Sequence, residues 1–383
     1  MKVLHLCKFF PPVAGGMEKV VFELAEGMAR RGIEVEVVCA DVGRAGGVER
    51  SPAGYRITRA PSWGSLLATS LAPRLLGEYR RAQTGCDIVH VHLPNPLAAL
   101  AVWLSPPAGR LVVHWHSDVV RQRFARRLYE PLQRWLLRRA DAIVATSEAY
   151  AASSPWLRRW PGKTTVVPIG IGDNAGCRDA AAAEAIRRRF GNRRIVFSLG
   201  RMSHYKGFDV LIDAAALLPG HCVVVVGGEG ELLERHRQRV IARGLTGKIV
   251  FVGRISDQEL PAYFEAAHVF CLASTLRSEA YGVVLAEAMA MGTPVVATEI
   301  AGSGVSWVNQ SQSTGINVPV GNSRALAEAL MTIIDDDARA ARFGHAARQR
   351  YLEHLSAAAM VDSTVRLYDR LAVEDRSTPV FDR

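Results

Sequence analysis

The sequence predicts an α/β protein made of two doubly wound, parallel-sheet domains, and three observations predict it. The chain has 383 residues, more than one hydrophobic core usually serves. Short β-rich apolar runs alternate with segments of helical period along its whole length, the pattern of parallel sheets covered by helices. Both periodicities break at Pro168-Ile169-Gly170-Ile171-Gly172, which divides the chain into domains 1–168 and 169–354.

In the first half the strands read as Val3–Cys7, Glu34–Cys39, Ile88–His92, Leu111–His116, Ala142–Thr146 and Thr165–Val167. In the second half they read as Ile195–Leu199, Cys222–Val226, Ile249–Val252, Val269–Leu272, Pro294–Ala297 and Gly315–Val318. Each set suffices for a doubly wound domain, and such domains bind ligands beyond the carboxyl ends of their strands. Helices are predicted over Asp179–Phe190, near Ala325–Ile334, and from Ala338 to Val373. Residues 374–383 are polar and read as a flexible tail.

Hydrophobic residues make up 49% of the chain and charged residues 22%, which argues against long disorder. No stretch approaches the roughly 20 apolar residues of a membrane-spanning helix. The N-terminus opens on a strand and lacks a secretion signal, so a cytoplasmic location is expected. Cys7, Cys39, Cys86, Cys177, Cys222 and Cys271 are scattered without a CxxC pair, which points away from a disulfide framework or a thiolate zinc site.

Charge is unevenly placed. Residues 1–170 carry 23 Lys+Arg against 13 Asp+Glu, whereas residues 171–383 carry 24 of each. An anionic partner is therefore expected for the first half only. No RNP-like aromatic strand or basic repeat supports nucleic acid. Val119–Ala140 sets seven arginines among Phe124, Leu128, Leu132, Trp135 and Leu136 at helical spacing, and Pro131 is expected to kink or divide it. Such a segment suits an anionic membrane surface, and equally a stripe packed on the sheet with its arginines solvated. Trp63–Leu76 is a second membrane candidate.

Gly15 and Gly16 follow the first strand and precede a helix. They let the backbone approach a ligand at a helix N-terminus, and they suit a tight strand-to-helix turn as well. Val226-Gly227-Gly228-Glu229-Gly230 lacks the third glycine of a dinucleotide fingerprint, and its acidic neighbours would repel a pyrophosphate. Arg201 and Lys206, five residues apart at a strand's carboxyl end, suit a diphosphate or a solvated loop. Glu279 precedes a helix with the apolar face Val284, Leu285, Ala288 and Met289, and Glu287 lies eight residues later inside it. A carboxylate there is costly to bury, so it accepts hydrogen bonds from hydroxyls such as a ribose pair, or else Glu279 is a helix cap and Glu287 is solvated. His114 and His116 could bind a metal at their i, i+2 spacing, but no ligand partner stands near them in sequence. A polar side chain at the strand's end is the better account, with one member of that pair and one of His90 and His92 structural.

Taken together and in this order, the Gly15-Gly16 loop, His116, "GRMSHYKG" and the E-x7-E element of "SEAYGVVLAEAMAMGTPVVAT" resemble the retaining GT-B glycosyltransferases of family four. The resemblance runs from Met1 to about Tyr368. It implies a GT-B architecture, two Rossmann-like domains facing each other across a cleft, the first for the acceptor and the second for a nucleotide-sugar donor. A C-terminal helix, residues 355–373, is implied to pack back on the first domain. His116, Arg201, Lys206 and Glu279 are implied to be catalytic. Arg201 and Lys206 would hold the diphosphate, Glu279 the donor sugar and Glu287 the ribose. The amides of Tyr281, Gly282 and Val283 would support the phosphates, with Val252 against the base. Gly15 and Gly16 would line the acceptor side near the phosphate, and His116 would face the sugar. Cations and amides stabilise the leaving group in such a reaction, so no metal and no cofactor are expected.

A narrower resemblance, in "HWHSDVVRQ" and "AGSGVSWVNQ", is to bacterial transferases of O-antigen or exopolysaccharide. It implies GDP-mannose as donor, with a UDP-sugar as the alternative. The acceptor would be a saccharide or a polyprenyl-diphosphate-linked one, used at the inner face of the cytoplasmic membrane. Tyr281 stands where the wider family has Phe, and Ser306 where many relatives carry a carboxylate, which leaves base and sugar recognition open. A nucleotide-sugar 2-epimerase of the same fold, a nicotinamide-dependent oxidoreductase and a non-enzymatic binding module are the competing classes.

Overall fold

The computed structural model describes residues 1–13, 15–66, 69–118 and 123–373, which fall into two units. The first holds residues 1–171 together with the chain from Ala357 onward, and the second holds Gly172–Ser356. The expected tail 374–383 lies outside the described residues. So do Ala14 of the glycine loop, Leu67 and Ala68 of the Trp63–Leu76 segment, and residues 119–122 of the arginine-rich segment.

Strands of the first unit are β1 (Lys2–Leu6), β2 (Glu34–Ala40), β3 (Gly47–Arg50), β4 (Arg56–Ala60), β7 (Ile88–Leu93), β8 (Arg110–Trp115), β9 (Ala142–Ala145) and β10 (Thr164–Val166), with a short hairpin β5 (Ser65–Leu66) and β6 (Thr69–Ser70). They form one sheet in the order β10-β9-β8-β7-β1-β2-β4-β3, the hairpin standing apart. Every pairing in the main sheet is parallel except β3 against β4. β7 is buried at every residue, as a strand covered on both faces must be. The order reverses between β1 and β7, which puts a topological switch point at the centre of the sheet.

Sequence patterning misses β3 and β4. All four residues of β3 are exposed, and β4 carries Arg56, Thr58 and Arg59, so neither reads as an apolar run. β3 is the edge strand, and a charged edge of this kind keeps a sheet from pairing with another chain. Arg59 holds the edge together through Glu49, 2.7 Å away.

The helices of this unit are α1 (Gly16–Ala29), α2 (Arg74–Ala82), α3 (Pro96–Leu104), α4 (Arg123–Arg139) and α5 (Glu148–Ser153). Pro131 does not divide α4, which runs through it as one helix with the proline on its exposed side. Leu136 and Leu137 of α4 are buried, while Arg134 and Arg138 face solvent. A helix over Ala357–Val373 belongs to this unit and buries Met360, Val361, Thr364, Leu367, Tyr368 and Leu371 along one face. It packs on α1, where Arg31 meets Asp362 at 2.7 Å. Ala357 N donates to Ile171 O at 2.7 Å, so the chain re-enters this unit beside the point where it left.

The second unit contains β11 (Arg194–Leu199), β12 (Cys222–Gly227), β13 (Ile249–Gly253), β14 (Val269–Leu272), β15 (Val295–Glu299) and β16 (Gly315–Pro319). Their order is β13-β12-β11-β14-β15-β16, all parallel. This is the 3-2-1-4-5-6 order of dinucleotide-type folds, with its switch point between β11 and β14. The helices are α6 (Ala180–Arg189), α7 (Phe208–Leu217), α8 (Leu233–Ala242), α9 (Leu260–Ala266), α10 (Val283–Ala290), α11 (Val305–Val308), α12 (Ser323–Ile334) and α13 (Asp337–Arg350). One core packs Val196, Val224, Val269 and Val296 of the sheet against Leu211 of α7 and Leu326, Leu330 and Ile333 of α12. Asp179, Asn322 and Asp336 start α6, α12 and α13 by accepting amides two to three positions into each helix. The helix expected over Ala338–Val373 is broken: a π turn at Tyr351–Leu355 follows α13, and the chain leaves helical geometry at Ser356.

Candidate active site

The candidate site grows from the carboxyl ends of β11 and β14, on either side of the switch point in the second unit. β11 gives way to a loop that ends in a 3-10 turn, His204–Lys206, before α7 begins. Gly207 adopts a φ of 68°, and a Cβ there would lie 1.9 Å from Ala273 O. Only glycine fits, because the loops after β11 and β14 meet backbone to backbone. Across the same seam Thr275 N donates to Tyr205 O at 2.7 Å.

This seam delivers Lys206 to Glu279. Lys206 Nζ lies 2.6 Å from Glu279 Oε2, with the two side chains only 11% and 10% exposed. Ser274 Oγ donates to the same oxygen at 2.9 Å. Burial works against the Lys206 ammonium, but the Glu279 carboxylate outweighs it and holds the group above the ordinary lysine range. Arg201, exposed at the start of the loop, is near enough to oppose that charge. Two cations close together suit an anion better than they suit each other. The Glu279 backbone is fixed as well: Ser303 Oγ donates to its carbonyl, and Gly304 N donates to Ala280 O at 2.8 Å.

Lys206 can present three donors, of which Glu279 takes one. An ammonium for phosphate oxygens beside a carboxylate for hydroxyls suits a ligand that carries both. α10 starts directly after this pair, so Tyr281, Gly282 and Val283 stand at a helix N-terminus, where the first amides have no intrahelical acceptor. The Tyr281 ring is buried near Trp307, with centroids 6.2 Å apart. Glu287 lies half-buried on α10, and Val252 half-buried in β13.

Gly15, Gly16 and His116 belong to the first unit. Gly15 is the N-cap of α1, and a Cβ on it would lie 2.1 Å from Glu18 Oε2. A carboxylate of the first turn therefore folds back over the helix N-terminus, where negative charge is favoured.

The absence of ligand partners near His114 and His116 holds only along the sequence. β1, β7 and β8 are neighbours, and their register sets His5 beside His90 and His92 beside His114. Five imidazoles, those of His5, His90, His92, His114 and His116, are therefore buried together. His5 Nδ1 lies 3.1 Å from His92 Nε2, and His92 Nδ1 lies 3.0 Å from His116 Nε2. His114 and His116 stack at 4.1 Å. Burial pushes His5 and His116 down to about 3 and His90, His92 and His114 well below the ordinary histidine range, so the cluster is neutral near pH 7. Both members of each i, i+2 pair face it, not one of each.

The model for Glycosyltransferase Family 4 matches residues 14–174, and that for Glycosyl transferases group 1 matches residues 181–350. The O-antigen chain mannosyltransferase C of Escherichia coli is 33% identical over 377 residues, covering 97% of this chain and 99% of that protein. The chain is a family 4 glycosyltransferase. The D-rhamnosyltransferase WbpZ of Pseudomonas aeruginosa is 31% identical and covers 93% of each chain. Sucrose-phosphate synthase from Thermosynechococcus elongatus superposes with a TM-score of 0.79 at 24% identity, over 97% of this chain and 99% of that one. The architecture is GT-B.

In this glycosyltransferase, Ser274 and Ser303 escape a reading of the sequence. Ser274 follows the apolar run Val269–Leu272, and a serine at such a strand end is a weak signal for a polar site. His5 was legible in principle, since it interrupts the first strand as His90 and His114 interrupt theirs.

Proposed function

We propose that this enzyme moves a hexose, mannose from GDP-mannose, onto a lipid-linked saccharide in the synthesis of a cell-surface polysaccharide, with retention at the anomeric carbon. The observation that carries the reading is the Lys206–Glu279 pair, set at 2.6 Å at the carboxyl ends of β11 and β14. The likeness to an O-antigen chain mannosyltransferase supports the choice of sugar and acceptor.

In the reaction, the bond between the anomeric carbon and the donor phosphate oxygen breaks as the acceptor oxygen bonds to that carbon on the same face. The departing phosphate takes the acceptor's proton. Lys206 and Arg201 stabilise the charge growing on the phosphate, and the first amides of α10 add to them. Glu279 holds hydroxyls of the donor sugar, Glu287 the ribose, and His116 the sugar at its reacting face. Gly15 and Gly16 lie on the acceptor side, and Val252 lies against the base. No metal is required at the diphosphate.

A thermal-shift panel of GDP-, UDP-, ADP- and dTDP-sugars tests the donor, because a ligand of the folded state raises its stability by mass action. The largest shift is expected with GDP-mannose. A UDP-sugar giving the largest shift would replace it. Conversion of the sugar nucleotide without any acceptor would make the protein an epimerase instead.

A further inference from the structure

We propose that His5, His90 and His92 form a buried binding site for one divalent transition-metal ion of the zinc type, in the first unit and apart from the diphosphate chemistry. Each of the three offers a ring nitrogen, and these nitrogens lie within 4.8 Å of one another. His5 Nδ1 and His92 Nε2 are 3.1 Å apart, close to the about 3.3 Å that two nitrogens span on a tetrahedral ion with bonds near 2.0 Å. The donors come from β1 and β7, the strands that flank the switch point of this sheet.

The remaining ring nitrogens are arranged as outer partners of a metal site. His90 Nδ1 lies 2.5 Å from Tyr368 Oη of the C-terminal helix, and His92 Nδ1 lies 3.0 Å from His116 Nε2. Such contacts fix the tautomer and the orientation of a metal-bound imidazole. They leave His90 Nε2 for the ion, and that atom is buried with no partner among the described residues. His5 Nε2 and both nitrogens of His114 are in the same condition. An imidazole-only donor set without carboxylates suits zinc, copper, nickel or cobalt, and is poor for magnesium or calcium.

All three rings have no exposed surface, so the ion enters as the unit folds and exchanges slowly afterwards. With the ion on His92 Nε2, His92 donates its Nδ1 proton to His116 Nε2. His116 then carries its own proton on Nδ1. The metal thus sets the tautomer of His116 without touching substrate.

The test uses full-length, tag-free protein expressed in zinc-supplemented medium, dialysed against EDTA in native buffer, with metal measured by mass spectrometry. About one zinc per chain is expected, retained on native dialysis and released on unfolding in guanidinium. Refolding with Co²⁺ is expected to give the visible absorption of a tetrahedral nitrogen site. His5→Asn and His90→Asn should each hold about tenfold less metal or worse, whereas His345→Asn, on an exposed residue, should hold as much as wild type. A wild type that holds no stoichiometric metal, or full retention in both cluster variants, would overturn the proposal and leave an imidazole ladder. Should the variants not fold, wild-type stoichiometry and the cobalt spectrum decide. Neither readout involves a sugar nucleotide, so failure here leaves the transferase reading standing.

Discussion

Lys206 Nζ and Glu279 Oε2 are 2.6 Å apart, and the two residues come from loops after β11 and β14, strands that sit side by side in the sheet but 70 residues apart in the chain. The pair is held before any ligand arrives: Ser274 supports the carboxylate, and the glycine at position 207 lets the loops touch. Such preorganisation avoids paying reorganisation at the moment of reaction.

On the proposed reaction, replacing Lys206 or Arg201 is expected to cut turnover about a hundredfold or more, because each would stabilise a leaving group that gains charge in the transition state. Stability separates the two. Lys206→Ala strands a carboxylate that is only 10% exposed, and breaking a buried pair typically costs about 3 kcal/mol. Arg201 is exposed, so Arg201→Ala should stay within about 0.5 kcal/mol of wild type. Turnover and melting temperature measured on both variants check this. Near-normal turnover in both, with folding intact, would remove them from the diphosphate site.

EDTA is expected to leave turnover intact, and added Mn²⁺ or Mg²⁺ should not stimulate it. On the proposed reaction, the two cations and the α10 amides do the work of a divalent ion. Loss of activity on chelation, restored by Mg²⁺, would mean that the phosphate is held through a metal after all.

His268 provides a pH dependence of stability. Burial, with Arg194 and Arg187 adding to it and Asp337 opposing, holds this histidine down to about 4. Its Nδ1 accepts Ile195 N–H at 3.0 Å, which requires the neutral ring. The unfolded value is about 6.5, so the unfolded chain binds the extra proton first as the pH drops. The stabilisation is fully present above about 6.5 and is lost as pH falls toward about 4. His268→Asn keeps an acceptor and gains no proton, so its melting temperature should fall less steeply than wild type across that window. Parallel curves for the two proteins would refute it.

Flotation with vesicles tests the basic first half. The enzyme should bind anionic vesicles, with each basic side chain near the surface adding about 1 kcal/mol, and added salt should weaken the binding. Trp63, 69% exposed, and Leu71, 42% exposed, are apolar side chains that the Trp63–Leu76 segment would offer a bilayer, while its Leu75 is buried, so Trp63→Ala should lower recovery. Buried Leu136 and Leu137 show that part of the α4 stripe belongs to the core instead. Equal recovery with neutral and anionic vesicles would mean a soluble acceptor.

Strands buried on both faces were legible because they are apolar runs bounded by breaks, and each of the twelve predicted strands has its counterpart in the two main sheets. β3 was not, since an exposed edge strand carrying Glu49 and Arg50 has no apolar face to show, and in β4 Arg56 and Arg59 interrupt the buried Ile57, Thr58 and Ala60. Arg201, Lys206, Glu279 and Glu287 stood out as charges at strand ends or inside an apolar helix. That Lys206 touches Glu279 could not be read, because contact across β11 and β14 depends on strand order. The histidine cluster was hidden for the same reason. Its members are spread from His5 to His116, and only register places His5 beside His90.

The hydrogen bond from Ala357 N to Ile171 O makes the second unit an insertion: one continuous stretch, Gly172–Ser356, spliced into a domain whose own chain resumes next to where it stopped. A short linker between Ile171 and Ala357 should therefore let the first unit close on itself, while residues 172–356 carry their own core and sheet. If the second unit binds the donor, as proposed, donor recognition should move between relatives with one uninterrupted segment of chain.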